Sequence, residues 1–387
     1  MENMKQFAGH TRVGDIEVLV DNILMNLPVK NICQCQLVSK SWQTMIADSE
    51  FNHMVCQRNC PVSIFVKYVD FPQTVCIIHY SSDTSYSVEE FDLPSGFKEI
   101  LGSCYGLICL GDEEQQKLLF LNPFTRWIQI IQELGDTSGN YGFGYDLTIE
   151  DFKLVKLLDN YSAPYDTRRV MIYSMKDHCW REKSYESWQF KLDPSAANFV
   201  ADKLYWRGFL LKTPQQQVVE EDVLITFNIC SETFGRVRLP EELCGRYVTF
   251  GVIENKLSAC LSAQDISIWF LNDDQFQRSI TLANYKANLH CLVRPLYLRG
   301  NTIFLLRAKR KITKYNITED SKVQILGFNK TPVSLQALGF GLMSEPKARM
   351  EAIGFVQSLF PLVCQRNGKH DDEPSKEISK RRKLCPC

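Results

Sequence analysis

At 387 residues, with 45% hydrophobic and 23% charged residues and a formal net charge of -1, the chain has material for a large core and no global positive field. Wholesale disorder is excluded, and nucleic acid is not expected as a partner of the body. The length suits one small domain plus one large one, although a single β-propeller reaches such sizes.

Residues 1–14 read as a leader. No apolar run there ends at a small-residue cleavage site, so no signal peptide is expected. Nor does any run reach the roughly 18 apolar residues of a membrane-spanning helix, which points to a cytoplasmic or nuclear protein with no membrane partner. The 15 cysteines are odd in number and scattered through a chain too large to need disulfide staples, and they read as reduced, mostly buried thiols.

From Ile16 the apolar residues Ile16, Leu19, Val20, Ile23, Leu24 and Leu27 recur at offsets of three and four, on one face of a helix. Asp15 is placed to cap it and Pro28 to end it. A second, short helix carries Val29, Ile32 and Cys33. A third carries Val38, Trp42, Met45 and Ile46, leaves Ser39, Lys40, Ser41 and Gln43 to solvent, and closes at Asp48-Ser49. Three helices within residues 15–50 bury too little surface to be robust alone, so part of the apolar face is expected to meet a partner; packing on one another or on the large domain is the plainer alternative. Residues 51–60 read as a linker.

Over residues 61–363 the pattern becomes short apolar and aromatic runs between polar turns. Val62-Ser63-Ile64-Phe65-Val66, Gly106-Leu107-Ile108-Cys109-Leu110, Val170-Met171-Ile172-Tyr173 and Thr302-Ile303-Phe304-Leu305-Leu306 are β-strand signals. A weak repeat joins a strand, a polar turn and an aromatic residue opening the next strand. It is seen at Phe120 to Trp127, Ile172 to Trp180, Thr226 to Phe234, Trp269 to Phe276 and Lys314 to Asp320. The spacing of roughly 40 to 55 residues is that of four-stranded propeller blades, and an opening unit near Pro61 to Leu93 brings the count to six. A sandwich or irregular barrel also yields hairpins, but the period favours the propeller. Neither the WD dipeptide nor a kelch-type double glycine is present.

Catalytic and metal motifs are not evident. Gly142-Phe143-Gly144 and Gly339-Phe340-Gly341 lack the third glycine and following helix of a phosphate loop, and read as tight strand starts. Cys56 and Cys60 stand four apart without the second pair of a zinc site, and the six histidines are dispersed, so no metal and no cofactor is expected. Residues 364–387 read as a disordered tail whose basic run, Lys380-Arg381-Arg382-Lys383, is either a nuclear-import signal or simply a solvated charge run.

Two groups of motifs resemble a known family. Ile23-Leu24-Met25-Asn26-Leu27-Pro28-Val29-Lys30, followed by Cys35-Gln36-Leu37-Val38-Ser39-Lys40-Ser41-Trp42, closely resembles the F-box, particularly its plant form, and the similarity continues through Ile46, Asp48 and Phe51. Gly102 to Leu110, Asn122 to Arg126, Tyr141 to Asp146, Asp151 to Val155 and Tyr173-Ser174-Met175 look like landmarks of the plant F-box-associated domain. The resemblance implies a three-helix F-box followed by a β-propeller-like domain of about six degenerate blades. It implies that Ile16, Leu19, Ile23, Leu24, Leu27, Pro28, Val29, Val38 and Trp42 form or support a surface that binds a Skp-type adaptor, and through it a cullin. Two departures bear on adaptor affinity: Asp15-Ile16 replaces the usual leucine-proline opening, and Gln34 and Gln36 replace the usual arginines.

The function so implied is a non-catalytic substrate-recognition subunit of an SCF-type ubiquitin ligase, whose protein target is ubiquitinated and degraded. A subset of the family sits at plant self-incompatibility loci and recognises pistil ribonucleases; a ribonuclease is the implied target if this chain is of the S-locus kind. Two other readings stay open. One is a propeller-fold glycan-binding protein or enzyme, which needs carboxylates or aromatics converging in the central channel. The other is an adaptor-binding scaffold that does not engage a cullin.

Overall fold

The computed structural model describes residues 23–27, 29–57, 63–68, 74–80, 86–112, 116–132, 139–158, 167–186, 190–211, 219–282, 292–307, 311–326 and 350–355. A small all-α head precedes six β-sheets, as expected. The first blade takes β1 (Ser63–Tyr68), β2 (Thr74–Tyr80) and β3 (Tyr86–Asp92) from one part of the chain and its inner strand, β25 (Met350–Phe355), from far downstream. The second is β4 (Glu99–Cys104), β5 (Leu107–Asp112), β6 (Lys117–Asn122) and β7 (Trp127–Gln132). The third is β8 (Gly139–Asp146), β9 (Asp151–Leu158), β10 (Thr167–Ser174) and β11 (Cys179–Glu186).

The fourth blade has a broken inner strand: β12 (Phe190–Leu192) and β13 (Asn198–Val200) both pair with β14 (Lys203–Leu211), followed by β15 (Val219–Asn228) and β16 (Thr233–Arg238). The fifth is β17 (Val248–Ile253), β18 (Lys256–Ser262), β19 (Ile266–Asn272) and β20 (Gln275–Leu282). The sixth is β21 (Val293–Arg299), β22 (Thr302–Arg307), β23 (Lys311–Asn316) and β24 (Ser321–Leu326). The inner strands β25, β4, β8, β13, β17 and β21 touch in turn and return to β25, closing a six-bladed propeller. Pairing of Ser63 to Tyr68 with Phe355 to Met350 shuts the ring, and the Ile100 N–H donates to Glu351 Oε2 at 3.0 Å, fastening β25 to the next blade.

The continuous apolar runs follow from this geometry, because a blade is buried on both faces. On β5, Leu107 and Cys109 enter the wedge between blades two and three, whereas Ile108 and Leu110 enter the wedge between blades one and two. Six apolar clusters fill the six wedges. Each fully buried Val, Leu, Ile or Phe contributes about 1.5–3 kcal/mol, so stability is spread around the ring.

The repeat read from the sequence is the hairpin joining the third and fourth strands of blades two to six. In blades two, four and six, Asn122, Asn228 and Asn316 accept backbone N–H groups two and three residues on. The residue four positions after each, Arg126, Glu232 and Asp320, has positive φ and turns the chain into the last strand. Ser174 accepts from the Asp177 N–H, with His178 at positive φ, to give the same shape in blade three. Blade five uses a two-residue turn, Asp273-Asp274, with both φ positive.

Gly142 and Gly144 lie inside β8, not at a strand start. A Cβ at Gly142 would stand 2.7 Å from Leu204 and Trp206, so the glycines let the inner strand lie flat against blade four while Phe143 packs towards blade two. Gly339-Phe340-Gly341, residues 1–14 and the tail 364–387 lie outside the described residues.

Candidate adaptor-facing surface and central cavity

Ile23, Leu24 and Met25 are helical, and α1 (Val29–Cys35), α2 (Lys40–Ile46) and α3 (Ser49–Gln57) follow. Leu24, Val29, Ile32, Ile46, Phe51 and Val55 are at most 3% exposed and make the core of this head, with Leu27, Trp42 and Met45 partly buried against it. Ser39 is a helix cap: its Oγ accepts the Trp42 N–H at 3.2 Å. Val38 therefore precedes α2 instead of riding on it. Asp48 likewise opens α3, accepting the Phe51 N–H at 3.2 Å, so residues 51–57, read as linker from the sequence, are a helix of the head. Asn52, 1% exposed, donates to the Ile46 and Asp48 carbonyls and ties α2 to α3.

The head is seated on the propeller at two points. Phe124, in the β6–β7 turn, packs on the head's core, and Cys56 of α3 packs among Leu101, Cys104 and Leu107. Strands alternate in direction, so the turns after the first and third strands of a blade lie at one end of the ring. The head sits at that end.

Among the described residues of the head, four large apolar side chains are exposed: Leu37 is 89% exposed, Val38 65%, Ile23 57% and Met54 39%. Of the residues read from sequence, Ile23 and Val38 are thus on the surface, Leu24 and Val29 are beneath it, and Leu27 and Trp42 lie partly buried between. Ile16, Leu19, Pro28, Lys380, Arg381, Arg382 and Lys383 lie outside the described residues. Leu37 and Met54 went unnoticed in sequence, although an apolar Leu37-Val38 pair just before a serine cap is a usable signal. Gln34 is exposed and Gln36 partly so.

A cavity of about 1170 Å³ occupies the middle of the ring, bounded by β4, β13, β17, β21 and β25 and, at the head's end, by Cys56. Its charged lining is Arg294, Arg299 and Glu254. Burial lowers the Arg294 pKa from its ordinary value, and the neighbouring Glu351 opposes that shift. Among the described residues no group of three or more His, Cys, Asp or Glu could hold a metal ion, and no helix is long and apolar enough to cross a membrane.

The chain is thus a small helical head with exposed apolar side chains, seated on a six-bladed β-propeller. The chain matches the F-box domain over residues 17–54 and the F-box associated beta propeller domain over residues 81–281, just over half its length. It belongs to the family of F-box proteins with an F-box-associated β-propeller. The Arabidopsis thaliana F-box/kelch-repeat protein At3g23880 is 24% identical over 77% of this chain and 86% of its own length. The F-box protein CPR1 of the same plant is 23% identical over 82% of this chain and 86% of its own. Among solved structures, an oligogalacturonate lyase from Vibrio parahaemolyticus is 8% identical over 70% of this chain and 80% of that one, with a TM-score of 0.41, too slight a likeness to bear on function.

Proposed function

We propose that this chain is the target-recognition subunit of an SCF-type ubiquitin ligase, its head binding a Skp-type adaptor and its propeller a protein to be ubiquitinated. The observation that carries the reading is the exposure of Ile23, Leu37, Val38 and Met54 beside a head core filled by Leu24, Val29, Ile32 and Ile46. Leu19 and Pro28 belong to the same proposal through the F-box match, and Ile16, one residue before that match, through the same helical stripe. The subunit works by proximity, raising the effective concentration of target and conjugating enzyme without a reactive group of its own. The connections 159–166, 212–218, 283–291 and 327–349 all join strand ends opposite the head, which leaves that end of the ring for the target. In this reading the protein is cytoplasmic or nuclear, with Lys380-Arg381-Arg382-Lys383 as an import signal; neutralising the four residues would then move a fluorescent fusion out of the nucleus.

The test is co-purification of the full chain with a Skp-type adaptor and cullin. Wild type recovers both, and a Leu37→Asp, Val38→Asp double variant loses the adaptor by at least about a hundredfold, since two charges would enter an apolar contact, while its propeller melts unchanged. Failure of wild type to recover the adaptor, or equal recovery by the variant, refutes the reading. Reconstituted ubiquitination separates a ligase receptor from a scaffold that never meets a cullin, and proximity labelling under proteasome inhibition identifies the target, a pistil ribonuclease included.

A further inference from the structure

Each blade ends in an outer strand, and such an edge turns alternate N–H and C=O groups away from its own sheet, where another strand can pair with them. Five of the six outer strands carry charge: acids on β3, arginines on β16 and β20, a lysine on β24 and both signs on β11. The sixth, β7, reads Trp127-Ile128-Gln129-Ile130-Ile131-Gln132, with no charge, no proline and three β-branched residues. It combines high strand propensity with none of the charges that keep edges apart.

β7 also presents apolar surface to solvent. Trp127 and Ile131 pack into the wedge between blades two and three. Ile128 and Ile130 stand on the opposite face, 39% and 46% exposed, across from Leu121 and Leu119 of β6 at the outer rim of the wedge between blades one and two. Trp180 of blade three reaches the far end of the strand, donating to the Gln132 carbonyl at 3.4 Å.

We infer that β7 is a self-association edge, which pairs antiparallel with β7 of a second copy of this chain and joins their second blades into one continuous sheet. The strand is complementary to itself. With Gln129 opposite Gln129 of the copy, each Ile128 falls opposite an Ile130, so the exposed isoleucines of both copies meet on one face and no charge within the strand opposes another. Charge selects this edge over the rest. Paired symmetrically with its own copy, β3 would bring acid to acid, and β16, β20 and β24 base to base. On β11, Arg181 and Lys183 are held by Glu232, and Glu182 by Arg169. Antiparallel pairing reverses one copy, so the two helical heads lie at opposite ends of the pair and neither covers the other. One short strand pair is a small contact, which makes the dimer weak and concentration-dependent.

Sedimentation velocity of the full chain from about 1 to about 200 μM tests this. A reversible monomer–dimer equilibrium is expected, at least about a hundredfold weaker in Ile130→Lys, because symmetry places both new charges in the contact. Val88→Lys, at an exposed position on the charged edge of β3, leaves it unchanged. So does the Leu37→Asp, Val38→Asp double variant, which separates this edge from the exposed apolar residues of the head. Under mild oxidation Gln129→Cys gives a disulfide-linked dimer, whereas Gln132→Cys, which falls opposite Arg126 of the copy, does not. Should Ile130→Lys fail to fold, Ile128→Lys carries the same expectation. A chain that stays monomeric across the range, whether or not it captures a target peptide at β7, overturns the inference. A dimer indifferent to both lysine variants, or crosslinking of Gln132→Cys in place of Gln129→Cys, overturns it as well.

Discussion

Replacing Lys153 by Met isolates the energetics of a charged cluster set deep between two blades. Lys153 is 5% exposed and its Nζ donates to Asp146 at 2.7 Å, to Glu232 at 3.0 Å and to the Ile229 carbonyl at 3.2 Å. Glu232 keeps Arg181 and Lys183 when the lysine is lost, but Asp146, 1% exposed, keeps only neutral donors, the Thr148 N–H and hydroxyl and the Cys230 thiol. Breaking a buried pair in this way costs about 3–5 kcal/mol at neutral pH, because a charge is left behind without its partner. The pH dependence is the sharper part. Burial alone would raise the Asp146 pKa, but hydrogen bonds from Lys153 and Thr148 outweigh it and hold the pKa at about 2. A depressed carboxylate stabilises the fold above its unfolded pKa of about 3.9 and loses that contribution as pH falls towards 2, here about 2.5 kcal/mol in all. In Lys153→Met burial is opposed only by the Thr148 and Cys230 hydrogen bonds, so Asp146 takes up its proton at higher pH and the penalty fades as acid is added. Urea unfolding of both proteins at pH 7, 5 and 4, followed by tryptophan fluorescence, should show a gap that is widest at pH 7 and narrows steadily. A gap below about 1 kcal/mol at pH 7, or one independent of pH, would refute the reasoning.

Three further outcomes follow from the packing. Gly144→Ala places a Cβ 2.5 Å from the Phe199 ring and against Ile229, and should cost about 1–3 kcal/mol in urea unfolding. Phe124→Ala removes the propeller's contact with the head's core, so limited proteolysis should cut the head faster while the propeller's unfolding stays within about 1 kcal/mol of wild type. A chain ending before Met350 lacks β25 and leaves the β1 edge unpaired; it should be recovered as aggregate, and a soluble, cooperatively melting product would show that the ring closes some other way.

The legible parts of the sequence were those governed by local chemistry. Asn122, Asn228 and Asn316 shape their turns with their own side chains, so the hairpins showed through, and the buried runs of β5 and β22 read as strands without reference to their neighbours. The head's core was legible through the three-residue spacing of Leu24 and Leu27 and of Val29 and Ile32. What escaped depended on distant contacts. Whether Val38 rides on a helix or precedes it is decided by the Ser39 cap, and the role of residues 51–57 by contacts of Phe51 and Val55 with α1 and α2. The pairing of Lys67 with Glu351 across β1 and β25 joins residues from the two ends of the propeller's chain and has no sequence signature.

Sharing the first blade between β1 and β25 also imposes a timetable on synthesis. Roughly 290 residues separate Ser63 from Phe355, on the order of 15 to 60 s of translation at about 5–20 residues per second. Throughout that interval the head, lying upstream, has already left the ribosome while the β1 edge still waits for its partner. If the head binds an adaptor as proposed, a premature stop upstream of Met350 yields a chain that keeps the adaptor-facing segment but has no closed ring, and whatever part of it escapes aggregation competes for adaptor with nothing to offer it.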